Sequence, residues 1–227
     1  MIKFINVSKF YPPNVFALRN VSFHIKPGEF VSFVGQSGAG KTTVLRLIIT
    51  EEKPTKGKII IGGWDIGDIR LKELPLLRRQ IGVVFQDFKL LKKKTVYENI
   101  EFALQVINTP RSKIPFIIKQ VLKIVGLEHK AQNFPHQLSA GEAQRAAIAR
   151  AIVYRPKILL ADEPTGNLDP INTREVIELL LKINELGITT LLVTHNREIV
   201  NLVKKRVITM DHGVIIGDQQ DKGRYVI

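Results

Sequence analysis

Gly35, Gln36, Ser37, Gly38, Ala39, Gly40, Lys41 and Thr42 spell G-x-x-x-x-G-K-T, with Thr43 next in line. Glycines at these positions let backbone N–H groups curl around an anion, a lysine in this place reaches β- and γ-phosphate oxygens, and the Thr42 hydroxyl offers Mg²⁺ a hard oxygen. The chemistry is capture of a nucleoside triphosphate. Hydrolysis adds two demands, a carboxylate for the metal and a base for water, and Asp162-Glu163 directly follow the apolar run Ile158-Leu159-Leu160-Ala161. Asp162 is the expected Mg²⁺ ligand and Glu163 the expected general base. An Asp-Glu pair taken alone is more often a solvated loop start; the phosphate loop upstream reverses that reading. His195 follows residues 189–193, read as a strand, and Gln86 follows the apolar run at residues 81–85. His195 is a candidate for the γ-phosphate and for holding water against Glu163, and Gln86 a candidate for Mg²⁺ or that water.

These groups meet only if their strands lie side by side. Residues 29–34 read as a strand ending at Gly35, and residues 42–49 as the helix behind it. Residues 158–161 are continuously apolar, as a strand buried on both faces must be, and residues 189–193 form a third. Strands alternating with helices predict an α/β core with a parallel sheet, whose carboxyl-terminal edge is where ligands bind. Residues 2–6, 17–25 and 58–61 read instead as antiparallel strands, joined by turns such as Pro12-Pro13-Asn14 and Lys26-Pro27-Gly28. Between about residues 96 and 150 the pattern turns helical. Within residues 117–125, Ile117, Val121, Leu122 and Val125 share one face, and Gly126 supplies a stop. Residues 206–216, around Asp211-His212-Gly213, read as a hairpin.

Ser139 and Glu142 stand as S-x-x-E, a capping box that opens a helix. A helix N-terminus flanked by Ser, Ala and Gly is also an anion site, because its free N–H groups and macrodipole favour negative charge. Both readings stand at this point.

With 227 residues, 44% of them hydrophobic, the chain can bury one substantial core, with or without a small appended subdomain. It has no apolar run near the ~18 residues of a membrane span, and residues 1–11 lack a basic-then-apolar leader, so a cytosolic location is expected. Cysteine is absent, which excludes disulfides and thiolate chemistry. The net charge of +13 calls for an anionic partner or a solvated basic exterior. Its runs, Arg78-Arg79, Lys92-Lys93-Lys94 and Lys204-Lys205-Arg206, are short and not interleaved with aromatics, which argues against single-stranded nucleic acid. Anionic lipid is the expected contact beside the bland solvated surface.

The ordered set of residues 35–42, Gln86, Leu138-Ser139-Ala140-Gly141-Glu142, Asp162-Glu163, Asn167-Leu168-Asp169 and His195 resembles the Walker A loop, Q-loop, signature, Walker B, D-loop and switch histidine of the ATP-binding-cassette (ABC) ATPases. The likeness spans essentially the whole chain. It implies an ABC-type P-loop NTPase fold: a parallel-sheet RecA-like core with an antiparallel β subdomain (about 1–86 and 151–227) and a helical subdomain (about 87–150). It also implies an ATP-dependent head-to-tail homodimer with Mg²⁺, in which Tyr11 stacks on adenine and Ser139, Gly141 and Asp169 serve the ATP at the dimer interface. Ser139 would then both cap its helix and face the partner's γ-phosphate. The family's signature more usually has Gly where this chain has Ala140, a change that a helical backbone tolerates.

Within the family, residues 85–91 (FQDFKLL) and 94–100 (KTVYENI) resemble those of its cell-division members. Residues 75–79 resemble them too, as do residues 162–169, though the last are shared with lipoprotein-releasing and macrolide-efflux members. The resemblance implies a subunit on the cytoplasmic face of the membrane that couples closure to an FtsX-like integral membrane protein and so to cell-wall hydrolases, with contact to the division ring. Exporter ATPases are the alternative. Nucleic-acid cassettes come lower, because the stretch from Lys41 to Leu138 is too short for the coiled-coil insertion of the DNA-gripping members.

Overall fold

The computed structural model describes residues 1–13, 15–220 and 223. Asn14, the third residue of the expected 12–14 turn, lies outside them. In chain order the elements are β1 (Ile2–Tyr11), β2 (Val15–Ile25), β3 (Phe30–Val34), α1 (Lys41–Ile48), β4 (Lys56–Ile61), β5 (Trp64–Asp65), α2 (Leu74–Arg78), β6 (Ile81–Val84), α3 (Val96–Val106), α4 (Ile114–Val125), α5 (Ala140–Ile152), β7 (Ile158–Asp162), α6 (Pro170–Glu185), β8 (Thr189–Val193), α7 (Arg197–Val203), β9 (Arg206–Asp211) and β10 (Val214–Gln219).

The strands make two sheets. Five parallel strands and one antiparallel edge strand lie in the order β10-β9-β3-β8-β7-β6, and β2-β1-β4-β5 form an antiparallel sheet. The parallel strands are buried almost throughout because both of their faces are covered, and the pleat deals alternate residues to two cores. Ile158 and Leu160 of β7 point to one core and Leu159 and Ala161 to the other; Leu191 and Val193 of β8 part from Leu192 in the same way. The first core joins the two sheets around α1, through Phe4 stacked on Phe23 at 4.4 Å and Phe23 edge-on to Phe33 at 5.0 Å. Such aromatic pairs add about 0.5–1.5 kcal/mol beyond the area they bury. The second core lies between the other face of the parallel sheet, α6 and the helices α3, α4 and α5.

Several elements differ from the sequence expectation in length. β1 continues past Asn6 to Tyr11 by register shifts, with Asn6 at φ 49, so the regular alternation breaks while the pairing to β2 goes on. α5 runs through residue 150, the expected subdomain boundary, and ends at Ile152. The helices α2, α6 and α7 were not assigned from sequence. α6 carries its own start signal, Asp169 as N-cap and Pro170 at its first position.

Candidate active site

Strand order decides what meets what. β3, β8 and β7 are adjacent and parallel, in register Val31↔Leu191 and Leu160↔Leu191. Their carboxyl ends therefore release the phosphate loop, residues 194–196 and Asp162-Glu163 along one edge of the sheet. There they line a cavity of ≈ 690 Å³ together with residues of the β2 start: Lys41, Thr42, Thr43, Gln86, Asp162, Glu163 and His195 all face it, as do Gln36, Ser37, Gly38 and Gly40 of the loop and Val15, Phe16 and Ala17.

The loop's shape follows from its glycines. Gly40 sits at φ 99, and a Cβ there would lie 2.6 Å from the Ala17 carbonyl oxygen. No side chain caps α1, which leaves the N–H groups of its first turn for an anion. Lys41, 8% exposed, turns its Nζ back to the carbonyls of Gly35 at 2.7 Å and Gln36 at 2.9 Å. Burial lowers its pKa, opposed by the nearby Glu163 and Asp162 carboxylates. Ala39 is buried within the loop.

Asp162 and Glu163 are adjacent but differently set. Burial, reinforced by the Glu163 charge and eased by Lys41 and Arg46, raises the Asp162 pKa. A carboxylate so placed gains from a cation. Thr42, Gln86 and Asp162 all border both this cavity and an adjoining one of ≈ 430 Å³, and together they offer a hydroxyl, an amide and one carboxylate. That oxygen-rich set with a single charge suits Mg²⁺ held jointly with phosphate rather than by protein alone. Among the described residues no cluster of three or more His, Cys, Asp or Glu could hold a metal by itself.

Glu163 has the left-handed φ of 45, and its backbone N–H donates to Val193 O at 2.9 Å. The turn aims its carboxylate at His195, with Oε1 2.6 Å from Nδ1. The His195 side chain is 67% exposed and that of Glu163 only 18%, so the pair spans from wall to opening. Gln86 is tied to the segment after Glu163: Asn167 Nδ2 donates to Gln86 O at 3.2 Å, and Gln86 Nε2 to Asn167 Oδ1 at 3.5 Å.

A family model described as ABC transporter matches residues 18–166. The chain belongs to the ABC transporter family. It is 53% identical over 225 residues to the cell division ATP-binding protein FtsE of Bacillus subtilis, covering 99% of this chain and 98% of that one. The FtsE of Escherichia coli K12 is 44% identical over 217 residues, with 96% and 98% covered. Among solved structures, a dimeric bacterial ABC transporter cassette aligns with TM-score 0.87 and 39% identity over 98% of this chain and all (100%) of that one. A dimeric cassette in a post-hydrolysis state bound to ADP and Pi aligns with TM-score 0.86 at 38% identity, covering 98% and 100%. The cassette is an ATPase of the FtsE group, with the parallel-sheet P-loop fold of its relatives.

In this cassette the signature residues stand apart from the phosphate-loop cavity, since neither Ser139 nor Gly141 lines it. Ser139 caps α5 reciprocally with Glu142: Glu142 N donates to Ser139 Oγ at 3.2 Å, and Ser139 N to Glu142 Oε2 at 2.8 Å. Ala140 opens the helix exposed. The steric demand for glycine falls on Gly141, where a Cβ would run into the Asn172 side chain of α6. Asp169 is the N-cap of α6, its Oδ1 accepting from Ile171 N and Asn172 N, each at 2.9 Å. Tyr11 pairs across the hairpin with Val15, a lining residue, but its hydroxyl donates to Glu52 at 2.5 Å and it does not itself line the cavity. Phe16 does, with half of its surface exposed beside the phosphate loop and Arg19 over its ring at 4.9 Å. Sequence reasoning missed Phe16; its cue was an aromatic two residues past the turn that begins at Pro12.

Proposed function

We propose that this chain is the Mg²⁺-dependent ATP-hydrolysing subunit of an FtsEX-type cell-division complex, closing as a homodimer on ATP and passing that closure to an FtsX-like integral membrane protein. The observation that carries the chemistry is the Glu163–His195 pair at 2.6 Å, in one cavity with Lys41, Thr42 and Asp162.

The residues divide the work. Backbone N–H groups of residues 36–41 and Lys41 cradle the phosphates, and Lys41 exchanges its two carbonyl acceptors for phosphate oxygens. Thr42, Gln86 and Asp162 would hold Mg²⁺, whose chemistry is to neutralise phosphate oxygens. Glu163 takes the proton of the attacking water, and His195, held by Glu163, keeps water and γ-phosphate in line. The Tyr11 ring, beside Thr43 and anchored through Glu52, takes the adenine. Ser139, Gly141 and Asp169 act in trans on the neighbour's nucleotide, so hydrolysis waits for closure.

The docking cleft for the membrane partner is an apolar hollow of ≈ 660 Å³ between α2, β6, α3 and α5, lined by Leu91, Phe102 and Val106 among others. The loop after Gln86 forms one of its walls, so force at the cleft reaches the γ-phosphate side directly. Among the described residues no helix is long and apolar enough to cross a membrane. The basic runs favour the cytoplasmic membrane face through anionic lipid, and the division ring lies within reach of that location.

The test is retention of membrane proteins from solubilised native membranes by tagged Glu163→Gln cassette with Mg-ATP. Recovery of an FtsX-like protein supports the reading. Recovery of a larger exporter-type permease moves the function to efflux or lipoprotein release, and recovery of nucleic acid alone removes the membrane partner.

A further inference from the structure

α4 has two apolar stripes. One buries Ile114, Ile118, Val121, Leu122 and Val125 in the helical core. The other, Phe116 and Ile124 with the polar Gln120 between them, repeats at i+4 on the outer side. Phe116 is 65% exposed and Ile124 46%, and Leu186 at the end of α6 is 69% exposed across from them. Two cavities of ≈ 660 Å³ and ≈ 520 Å³ adjoin along this stripe, with Ile117, Gln120, Val153 and Arg155 bordering both, and the first also meets the α2–α3 cleft at Ile107 and Tyr154. A lined-up apolar surface of this kind marks a binding face rather than the scattered hydrophobics of an ordinary exterior.

We propose that this groove, made by α4 and the carboxyl ends of α3, α5 and α6, docks an acidic amphipathic helix of a protein partner. The occupant's charge follows from the lining: among the described residues its charged side chains are Lys113, Arg155 and Lys157, with no Asp or Glu. Lys119 and Lys123 extend the same sign along α4. Complementary charge steers the approach, and the apolar stripe supplies the anchor points of a helix lying in a groove. A planar lipid surface cannot fill a concave groove, whereas a helix can.

Position makes the docking compatible with catalysis. Lys157 precedes β7, so the groove sits at the amino edge of the parallel sheet, opposite Asp162. The signature Ser139 and the groove-lining Ile152 are at the two ends of α5, whose 13 residues span about 20 Å. An occupant there stays clear of the phosphate-loop cavity, with which the groove shares no lining residue, and of the Ser139 end of α5.

The probe is a labelled synthetic helix with Leu along one face and Glu on the remainder, titrated into the full chain by fluorescence anisotropy. Expected is saturable binding that weakens about tenfold or more in Phe116→Ser/Ile124→Ser, weakens again in Lys113→Glu/Lys157→Glu, and is absent for the same peptide with Lys in place of Glu. All four replaced side chains are exposed, so melting temperature and ATP turnover stay at the parent values. No binding, or equal affinity for Phe116→Ser/Ile124→Ser, overturns the proposal. So does phosphatidylglycerol-vesicle binding or ATP-independent self-association that this apolar pair abolishes, since either assigns the face to lipid or to a second copy.

Discussion

Replacing Glu163 with Gln leaves an amide that still reaches His195 but cannot accept a proton from water. Turnover should fall about 10²- to 10⁴-fold, with ATP affinity little changed, measured by phosphate release and equilibrium nucleotide binding; unaltered turnover would assign the base elsewhere. Ser139 caps α5 and, in the proposed dimer, faces the partner's γ-phosphate, and two replacements separate the two roles. Ser139→Ala loses the cap, about 1 kcal/mol, and should lower the melting temperature by about 2–4 °C. Ser139→Asp retains an N-cap and hence stability, but sets a carboxylate toward the partner's γ-phosphate, so ATP-driven dimerisation should fail in a chain that melts normally. Glu142 adds a pH dependence. Its pKa is held below 4.5 chiefly by the Ser139 backbone N–H. The stabilisation it gives its ionised form is therefore complete above that value and lost as pH falls through the lower folded-state pKa. The melting-temperature gap between parent and Glu142→Gln should accordingly shrink below about pH 4.5. The phosphate loop, Asp162 and Glu163 were legible in the sequence because each is a local string at a strand end. Phe16, Glu52 and Asn172 were not, because strand register and helix contact bring them to the site.

At the scale of elements, α5 and α6 lock together where the signature meets the D-loop. Arg145 on α5 pairs with Glu175 on α6 at 2.6 Å, and the Gly141 backbone receives the Asn172 side chain. Gly141→Ala should cost about 1–3 kcal/mol by overpacking. Adding Asn172→Ala should recover part of that loss, a coupling that a double-mutant cycle of denaturant midpoints reads out; strictly additive losses would mean the two do not touch. This lock positions Ser139 relative to Asp169 of the same subunit, as the proposed site in trans requires. The parallel strands were readable because burial on both faces leaves continuous apolar runs such as residues 158–161. β1 was read only as far as Asn6, because its bulges destroy the period of two. α6 escaped notice although Asp169, Pro170, Val176, Ile177, Leu180 and Ile183 make a regular helical pattern; assigning Asp169 to the nucleotide hid its service as a cap.

For the whole molecule, the phosphate loop and the signature lie at different places on the surface. Lys41, Thr42, Asp162, Glu163 and His195 share one cavity, and Ser139 stands outside it. In the proposed dimer a single cassette holds half of each of two sites, and sequence order alone does not show that Ser139 lies away from the phosphate-loop cavity. The +13 charge is spread over features with separate explanations, since Lys41 belongs to the phosphate site, Arg206 is buried between Asp218 and Glu29, and Lys113 and Lys157 border the α4 groove. The central claim, a site completed in trans, is tested most directly by the mass of the Glu163→Gln protein measured by light scattering, with and without saturating Mg-ATP. A shift to twice the monomer mass that requires ATP, and that Ser139→Asp in the same background abolishes, is the predicted result. A protein that remains monomeric at saturating Mg-ATP would contradict it.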